Sequence, residues 1–211
     1  MTKKRTALIA LLGTILFTLS FTVHGLLRAG YDPWRNYVSE LSLGSTGWIQ
    51  IVSFLLMGLC LGVFAYGVSK AFPSGRVSRA GPALLLTIAA CYFVSGIFVT
   101  DPAAMFNQQT VHGILHGIFG ALVFALSPVC CFVFWLRFRT DPRWKPLKTW
   151  TLAAAVLQVI VVVLMKIAQP LDSALHSYAG LIQRCALLTF YAWLVAFAYR
   201  LYSCAKDAER V

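Results

Sequence analysis

Two histidines lie one helical turn apart in a segment whose residue types can bind a metal ion. His112 and His116 have the i, i+4 spacing that places two side chains on one face of a helix. Two imidazoles in that arrangement can share a zinc ion, which takes three or four protein ligands. With Asp101 as a third ligand, one hypothesis is a zinc site at His112, His116 and Asp101. Further candidate ligands are Glu40, His24 and His176. The alternative is that His112 faces water and His116 forms a hydrogen bond with a neighbouring helix.

The same region offers residue types that could hydrolyse an amide or ester bond. A bound metal ion would activate a water molecule for the attack. The candidate catalytic residues are Ser39, Glu40, Asp101, His116 and Arg184. Membrane hydrolases that hold zinc with His and Asp near a Ser use similar residue types. The order and spacing differ here, so this similarity is an analogy only.

These candidates all map to one level of the chain's apolar segments. All four histidines and four of the seven acidic residues fall at the predicted outer ends of helices or in outer loops, whereas the inner halves of the spans carry no ionisable side chain until the cytoplasmic boundary. Because charged groups in lipid are costly, we expect one outward-opening cavity lined by Glu40, Asp101, His112 or His116, and Arg184. It would hold a lipid headgroup, a small anion, a metal ion or only water. Since an unpaired buried charge is costly, we also expect Arg184 to form an ion pair with Asp101 or Glu40.

The elements that position these groups are six membrane-spanning helices. The chain has 211 residues, of which 59% are hydrophobic and 12% charged. Soluble domains are about 45–50% apolar and about 25% charged. Apolar runs of about 18 residues or more mark spans. The predicted spans are Ala7–Leu27, Trp48–Val68, Ala83–Val99, Val111–Leu136, Trp150–Ala168 and Ala179–Tyr202. We therefore expect a single, all-α, polytopic membrane domain over residues 1–211.

The first outer loop is expected to contain a short interfacial helix over Pro33–Leu43. Its apolar residues follow the i, i+3, i+4, i+7 pattern of one helical face: Trp34, Tyr37, Val38 and Leu41. Such a face would lie on the membrane surface. Glu40 lies off this face, so it either faces solvent or folds over the bundle toward the cavity.

The distribution of basic residues predicts the orientation of the chain. The formal net charge is +11, from 18 Lys and Arg against 7 Asp and Glu. Fourteen of the basic residues map to the side of the two termini and four to the other side. The positive-inside rule then places both termini in the cytoplasm of a cell-membrane protein. No basic stripe with interleaved aromatics lies outside the spans, so we expect no nucleic-acid partner. Membrane lipids are the expected partners, other membrane subunits are a further option, and the sequence indicates no oligomeric state.

Several short motifs, in order along the chain, resemble those of a known family. They are Gly30-Tyr31-Asp32-Pro33, Ser39-Glu40-Leu41-Ser42-Leu43-Gly44, Gly47-Trp48, Asp101-Pro102, Gly113-x-x-His116, and Gly180 with Arg184. On these motifs the chain resembles, over nearly its whole length, the domain-of-unknown-function 998 family of six-span bacterial and archaeal membrane proteins. The resemblance implies the six-helix architecture and an outer-facing polar cluster, and it brings no established activity.

Three classes of function stay open. A non-catalytic lipid-binding or accessory membrane protein is the favoured interpretation. An outward-facing intramembrane hydrolase of a lipid or other amphiphile, with or without a metal ion, is the alternative. A small-solute transporter is the third class, although transporters usually carry charged or unwound elements near the membrane midplane, where this chain is uniformly apolar. Electron transfer between two haems needs axial histidines toward both membrane faces, and the inner side has none.

Overall fold

Six long helices make up most of the chain. The computed structural model describes residues 1–72, 76–102 and 109–207, with backbone only at 76–78 and 207. The helices are α1 (Lys3–Leu27), α2 (Trp48–Ser69), α3 (Arg76–Ile97), α4 (Val111–Phe138), α5 (Lys148–Ala168) and α6 (Ala179–Asp207). Within those residues, three short 3-10 helices lie in the connections: Val38–Ser42, Lys145–Leu147 and His176–Tyr178. Within the described ranges the chain has no strand.

Each of the six long helices contains a stretch long and apolar enough to cross a membrane. The chain is therefore an all-α, multi-pass membrane protein, and this prediction is confirmed. Three helices begin earlier than the predicted spans: α1 begins at Lys3 rather than Ala7, α3 at Arg76 rather than Ala83, and α5 at Lys148 rather than Trp150. The physical reason is that a helix continues through polar first turns, which an apolar run does not mark.

The helices form a closed ring in chain order. Each long helix packs against its neighbours in sequence, and α6 packs against α1 to complete the ring. The start of α1 and the last turns of α6 meet the α2–α3 and α4–α5 connections at one end of the ring, where Thr2, Ala71, Trp144 and Leu201 line a cavity of about 310 Å³. This end is called the terminal end. The opposite end, which holds the connection from α1 to α2, is called the first-loop end.

Aromatic side chains fill the terminal half of the ring. The ring centroids of Phe134 on α4 and Phe197 on α6 lie 4.7 Å apart, and that of Phe64 on α2 lies 5.2 Å from Phe197. Trp144 stacks on Phe138 with a centroid distance of 5.3 Å. All five side chains are buried. Because large rings pair favourably at such distances, they tie α2, α4 and α6 together through the centre of the ring.

The first loop folds toward the bundle instead of forming the predicted continuous helix over Pro33–Leu43. Residues 33–35 form a turn, and the 3-10 helix covers only Val38–Ser42. Leu41 is fully buried, whereas Trp34 is 55% exposed. The predicted apolar face is therefore divided, because the backbone turns back onto α6 between these two residues.

Candidate functional site

Arg184, near the start of α6, holds the first loop against the bundle. Its Nη1 donates to three carbonyl oxygens, those of Pro33 at 2.7 Å, Asn36 at 3.0 Å and Gly180 at 3.0 Å. Its Nη2 donates to the hydroxyl of Tyr31. Only 9% of Arg184 is exposed. Two of these carbonyls belong to the turn of the first loop, so the guanidinium fixes the position of that turn on α6.

The predicted ion pair of Arg184 with Asp101 or Glu40 is wrong. Among the described residues no carboxylate oxygen lies within 4.0 Å of the guanidinium, and the ion pairs found there involve other residues. The converging carbonyl oxygens supply the partial negative charge that a carboxylate would have supplied. The ring of Tyr31, whose centroid is 5.5 Å from the guanidinium carbon, adds a cation–π contact.

Glu40 has a fixed direction because the first loop binds both of its carboxylate oxygens. Its Oε1 accepts from the backbone N–H of Tyr37 at 2.8 Å, and its Oε2 accepts from Nδ2 of Asn36 at 3.1 Å. The Glu40 carbonyl oxygen accepts from the guanidinium of Arg28 at 2.8 Å. Burial, and secondly the nearby Glu40 carboxylate, raise the pKa of Tyr37. The carboxylate therefore belongs to an ordered hydrogen-bonded loop.

Asp101 lies in the connection that follows α3, and its side chain binds the residue that precedes α4. Its Oδ2 accepts from the backbone N–H of Thr110 at 2.8 Å, and its Oδ1 accepts from the Thr110 hydroxyl at 2.8 Å. Thr110 in turn caps α4 by accepting from the N–H of Gly113 at 3.1 Å. A carboxylate at a helix N-terminus is stabilised by the helix dipole. Asp101 therefore has a structural role at α4 that the sequence analysis did not assign.

His116 presents one ring nitrogen to α3 and keeps the other free. Its Nδ1 lies 3.0 Å from the carbonyl oxygen of Ser95 and 2.8 Å from that of Phe98. Because both partners are acceptors, Nδ1 carries the hydrogen in the neutral ring, and this assignment leaves Nε2 with a lone pair. Nε2 has no partner among the described residues. It is therefore a hydrogen-bond acceptor available to a ligand.

The structure does not bring the predicted metal ligands His112, His116 and Asp101 together. In the described parts of the chain, no three His, Cys, Asp or Glu side chains cluster closely enough to hold a metal ion. The ring of His112 packs against Phe98 with a centroid distance of 5.3 Å, and His112 is exposed. Each of the two histidines therefore makes its own contact with the α3 region, and Asp101 binds Thr110 instead of a shared metal ion.

A cavity of about 350 Å³ opens at the first-loop end among α3, α4, α5, α6 and the first loop. Four predicted site residues line it: Ser39, Glu40, Asp101 and His116. Two others lie outside its lining: His112 and Arg184. The structure thus brings together the predicted residues of the first loop, the α3–α4 connection and α4. Arg184 contacts the first loop but does not line the cavity.

Lys166 and Gln183 also line the cavity and were not predicted as site residues, whereas His176, a further candidate metal ligand, is part of the lining. Gln183 accepts from the backbone N–H of Val38 at 2.7 Å through Oε1, and its Nε2 has no partner among the described residues. A signal for Gln183 exists in the sequence, since it is a polar residue inside an apolar span beside Arg184. Lys166 carries no comparable signal, because it falls near the predicted end of a span.

The apolar part of the lining belongs mainly to α4 and α5. Small residues of α4 form one wall, including Gly117 and Gly120, and the α5 wall includes Val162 and Met165. A Cβ atom added at Gly117 or Gly120 would meet nothing within 4 Å. The two glycines therefore border open space, in contrast to Gly58, where a Cβ would lie 2.8 Å from a backbone atom of α3.

Comparison with known proteins gives one result. A family model described as "Protein of unknown function (DUF998)" matches residues 11–200. No curated protein and no solved structure matches the chain.

Proposed function

The chain belongs to the DUF998 family, and we propose that it is a lipid-binding membrane protein that holds one amphiphile in the cavity at the first-loop end. The observation that carries the proposal is the division of the cavity lining. Glu40, Asp101, Lys166 and His176 lie among the polar residues at the loop end, and the walls from α4 and α5 are apolar. A membrane lipid has the same division into a polar headgroup and apolar chains.

The apolar walls offer space for an acyl chain. In tightly packed membrane helices, glycines let neighbouring backbones approach closely. At Gly117 and Gly120 no neighbour occupies the position of a side chain, so the space is available to a ligand. A volume of about 350 Å³ falls within the range of about 300–1,000 Å³ that small-molecule pockets have. This volume accommodates a headgroup and the upper part of a chain, with the remainder in the bilayer.

The orientation of the chain is part of the proposal. The excess of Lys and Arg on the side of the termini supports a cytoplasmic location for the terminal end. The polar part of the cavity then lies at the outer headgroup level of the membrane. Reporter fusions after Ala71 and after Asp172 test this: the first should report the cytoplasm and the second the outside. The reverse pattern would place the cavity on the cytoplasmic side.

A pair of adjacent substitutions on α4 tests lipid binding. Gly117→Phe places a ring in the open space of the cavity, whereas Ile118→Phe changes a residue that is 50% exposed and outside the lining. We expect the purified wild type and Ile118→Phe to retain lipid that is detected by native mass spectrometry. Gly117→Phe should lose most of it while remaining folded. Equal lipid retention by all three proteins would refute the cavity as the binding site.

A second candidate function is hydrolysis of the bound amphiphile. It is favoured by one observation, the free lone pair on Nε2 of His116 in a cavity that Ser39 also lines. Such a nitrogen can act as a general base toward water or a hydroxyl group. Incubation with a defined lipid separates the two functions. A binding protein returns the lipid intact, whereas a hydrolase releases cleavage products at a rate that His116→Asn reduces.

A further inference from the structure

The polar lining of the cavity is rich in hydrogen-bond acceptors that are fixed in direction. Besides His116, the ring of His176 has its Nδ1 at 3.2 Å from the carbonyl oxygen of Ala168. A carbonyl accepts only, so His176 in its neutral form also keeps its hydrogen on Nδ1 and presents the lone pair of Nε2. Two imidazoles that line the cavity and are held by backbone carbonyls therefore each keep an Nε2 acceptor without a partner among the described residues.

Two carboxylates extend this acceptor surface. Each oxygen of Glu40 and Asp101 accepts one hydrogen bond from the protein. A carboxylate oxygen has lone pairs for about two hydrogen bonds, so each carboxylate can accept from a ligand as well. The loop and the α4 cap hold both groups in place before any ligand arrives, which lowers the ordering cost of binding.

One Lys or Arg side chain belongs to the described lining as well, that of Lys166. Lys166 lies near the end of α5, and its Nζ lies 3.4 Å from Oε1 of Gln169. It is exposed, so its ammonium group can reach an anionic group of a ligand. The cavity therefore has a cation from α5 together with anions and neutral acceptors from the first loop, α4 and the connections.

We infer, resting on the proposed function, that the cavity selects a phospholipid whose headgroup carries a primary ammonium group, as an ethanolamine headgroup does. The lipid phosphate binds Lys166. The three N–H groups of the ammonium find their acceptors among the Nε2 atoms of His116 and His176 and the carboxylates of Glu40 and Asp101. A choline headgroup has the same phosphate and the same positive charge but no N–H donor. A glycerol headgroup has hydroxyl donors but no positive charge opposite the two carboxylates.

Three lipids with identical acyl chains test this inference on the full-length protein in detergent. They carry ethanolamine, choline and glycerol headgroups, and bound lipid is measured by native mass spectrometry over a concentration series. We expect the ethanolamine lipid to bind about tenfold more tightly than the choline lipid, since hydrogen bonds to charged groups are the strong ones. Equal affinity for these two lipids, or tighter binding of the glycerol lipid, would overturn the inference.

Matched variants assign the selectivity to particular atoms. His116→Asn keeps an N–H donor near the position of Nδ1, for the carbonyls of α3, and removes the Nε2 acceptor. We expect it to reduce the preference for ethanolamine over choline several-fold. His112→Asn changes an exposed residue one turn away and should leave the preference unchanged. Lys166→Met should weaken the binding of all three lipids alike, because all three carry the phosphate.

Failure of this inference is distinguishable from failure of the proposed function. If lipids bind without headgroup preference and Gly117→Phe removes them, the protein binds lipid in the cavity and the headgroup assignment is wrong. If Gly117→Phe leaves lipid binding unchanged, the proposed function itself is wrong. The wild-type comparison of the three lipids needs no variant, so it decides the headgroup question even if a substituted protein fails to fold.

Discussion

Replacing Arg184 with methionine should destabilise the protein by about 2–4 kcal/mol. Methionine keeps the apolar stem and removes the donors, so the carbonyl oxygen of Pro33 and the hydroxyl oxygen of Tyr31 lose their donor, whereas the Asn36 carbonyl keeps the Tyr31 hydroxyl. An acceptor left unsatisfied in a buried place costs about 1–3 kcal/mol, which gives about 2–6 kcal/mol for two. The variant no longer has to bury a charged group, which offsets part of the loss. The expected destabilisation therefore lies in the lower half of that range.

Unfolding by sodium dodecyl sulfate in mixed micelles, followed by circular dichroism, measures this loss. The control is Arg35→Met in the same loop, where the arginine side chain is 68% exposed and lies 3.7 Å from Asp32. An exposed pair contributes about 0–1 kcal/mol, so this control should be nearly neutral. If Arg184→Met unfolds within about 1 kcal/mol of the wild type, the carbonyls do not depend on Arg184 and the anchoring argument fails.

A double-mutant cycle shows whether the arginine acts through its specific contacts. Tyr31→Phe removes the hydroxyl that accepts from Nη2 of Arg184 and should cost about 1 kcal/mol alone. In the Arg184→Met background it should cost measurably less, because the partner is already absent. Contacting residues typically show coupling energies of about 0.5–3 kcal/mol. Strict additivity of the two losses would argue against the hydrogen bond.

Three other substitutions test separate parts of the fold. Gly113→Ala should destabilise the start of α4, because the new Cβ would lie 1.9 Å from Oδ2 of Asp101; the midpoint of thermal unfolding measures this, and an unchanged midpoint would contradict the close approach. Phe134→Ala should cost about 3–5 kcal/mol in unfolding free energy, since it empties the centre of the aromatic core; a loss below about 1 kcal/mol would show that the core repacks. Hydrogen bonds from Arg143 lower the pKa of Asp141, so Asp141 contributes stability above its unfolded pKa of about 3.9, and this stability is lost as the pH falls through the lower folded value. Stability profiles of the wild type and Asp141→Asn should therefore converge at low pH, and parallel profiles would refute the assignment.

The spans could be predicted from the sequence because lipid imposes a simple rule on composition. A helix that crosses the membrane needs a long apolar stretch, and α2 and α4 begin where the apolar runs at Trp48 and Val111 begin. Asymmetry of polar residues also indicated which end holds a cavity. The spans and the polar end of the bundle can both be predicted from residue types alone, because neither depends on the path of the backbone.

The partners of the polar residues could not be predicted in the same way. Arg184 binds the carbonyls of Pro33 and Asn36. Because every residue has a backbone carbonyl, the residue types do not indicate which carbonyls the arginine binds. The free nitrogen of His116 depends on carbonyls of α3 that lie 18 and 21 positions earlier. The i, i+4 spacing of two histidines indicates a shared face, but packing against α3 decides where each ring nitrogen points.

The choice of carbonyls as the partners of Arg184 has an electrostatic consequence for the cavity. A direct ion pair would have placed the Arg184 guanidinium against Glu40, whereas with carbonyl partners for Arg184 the lining combines the carboxylates of Glu40 and Asp101 with the ammonium group of Lys166. Arg184 therefore supports the first loop without pairing with the carboxylates of the cavity lining. Stability and headgroup selectivity should consequently separate: Arg184→Met loosens the loop and weakens every lipid alike, whereas a change at the Nε2 of His116 alters the preference among headgroups.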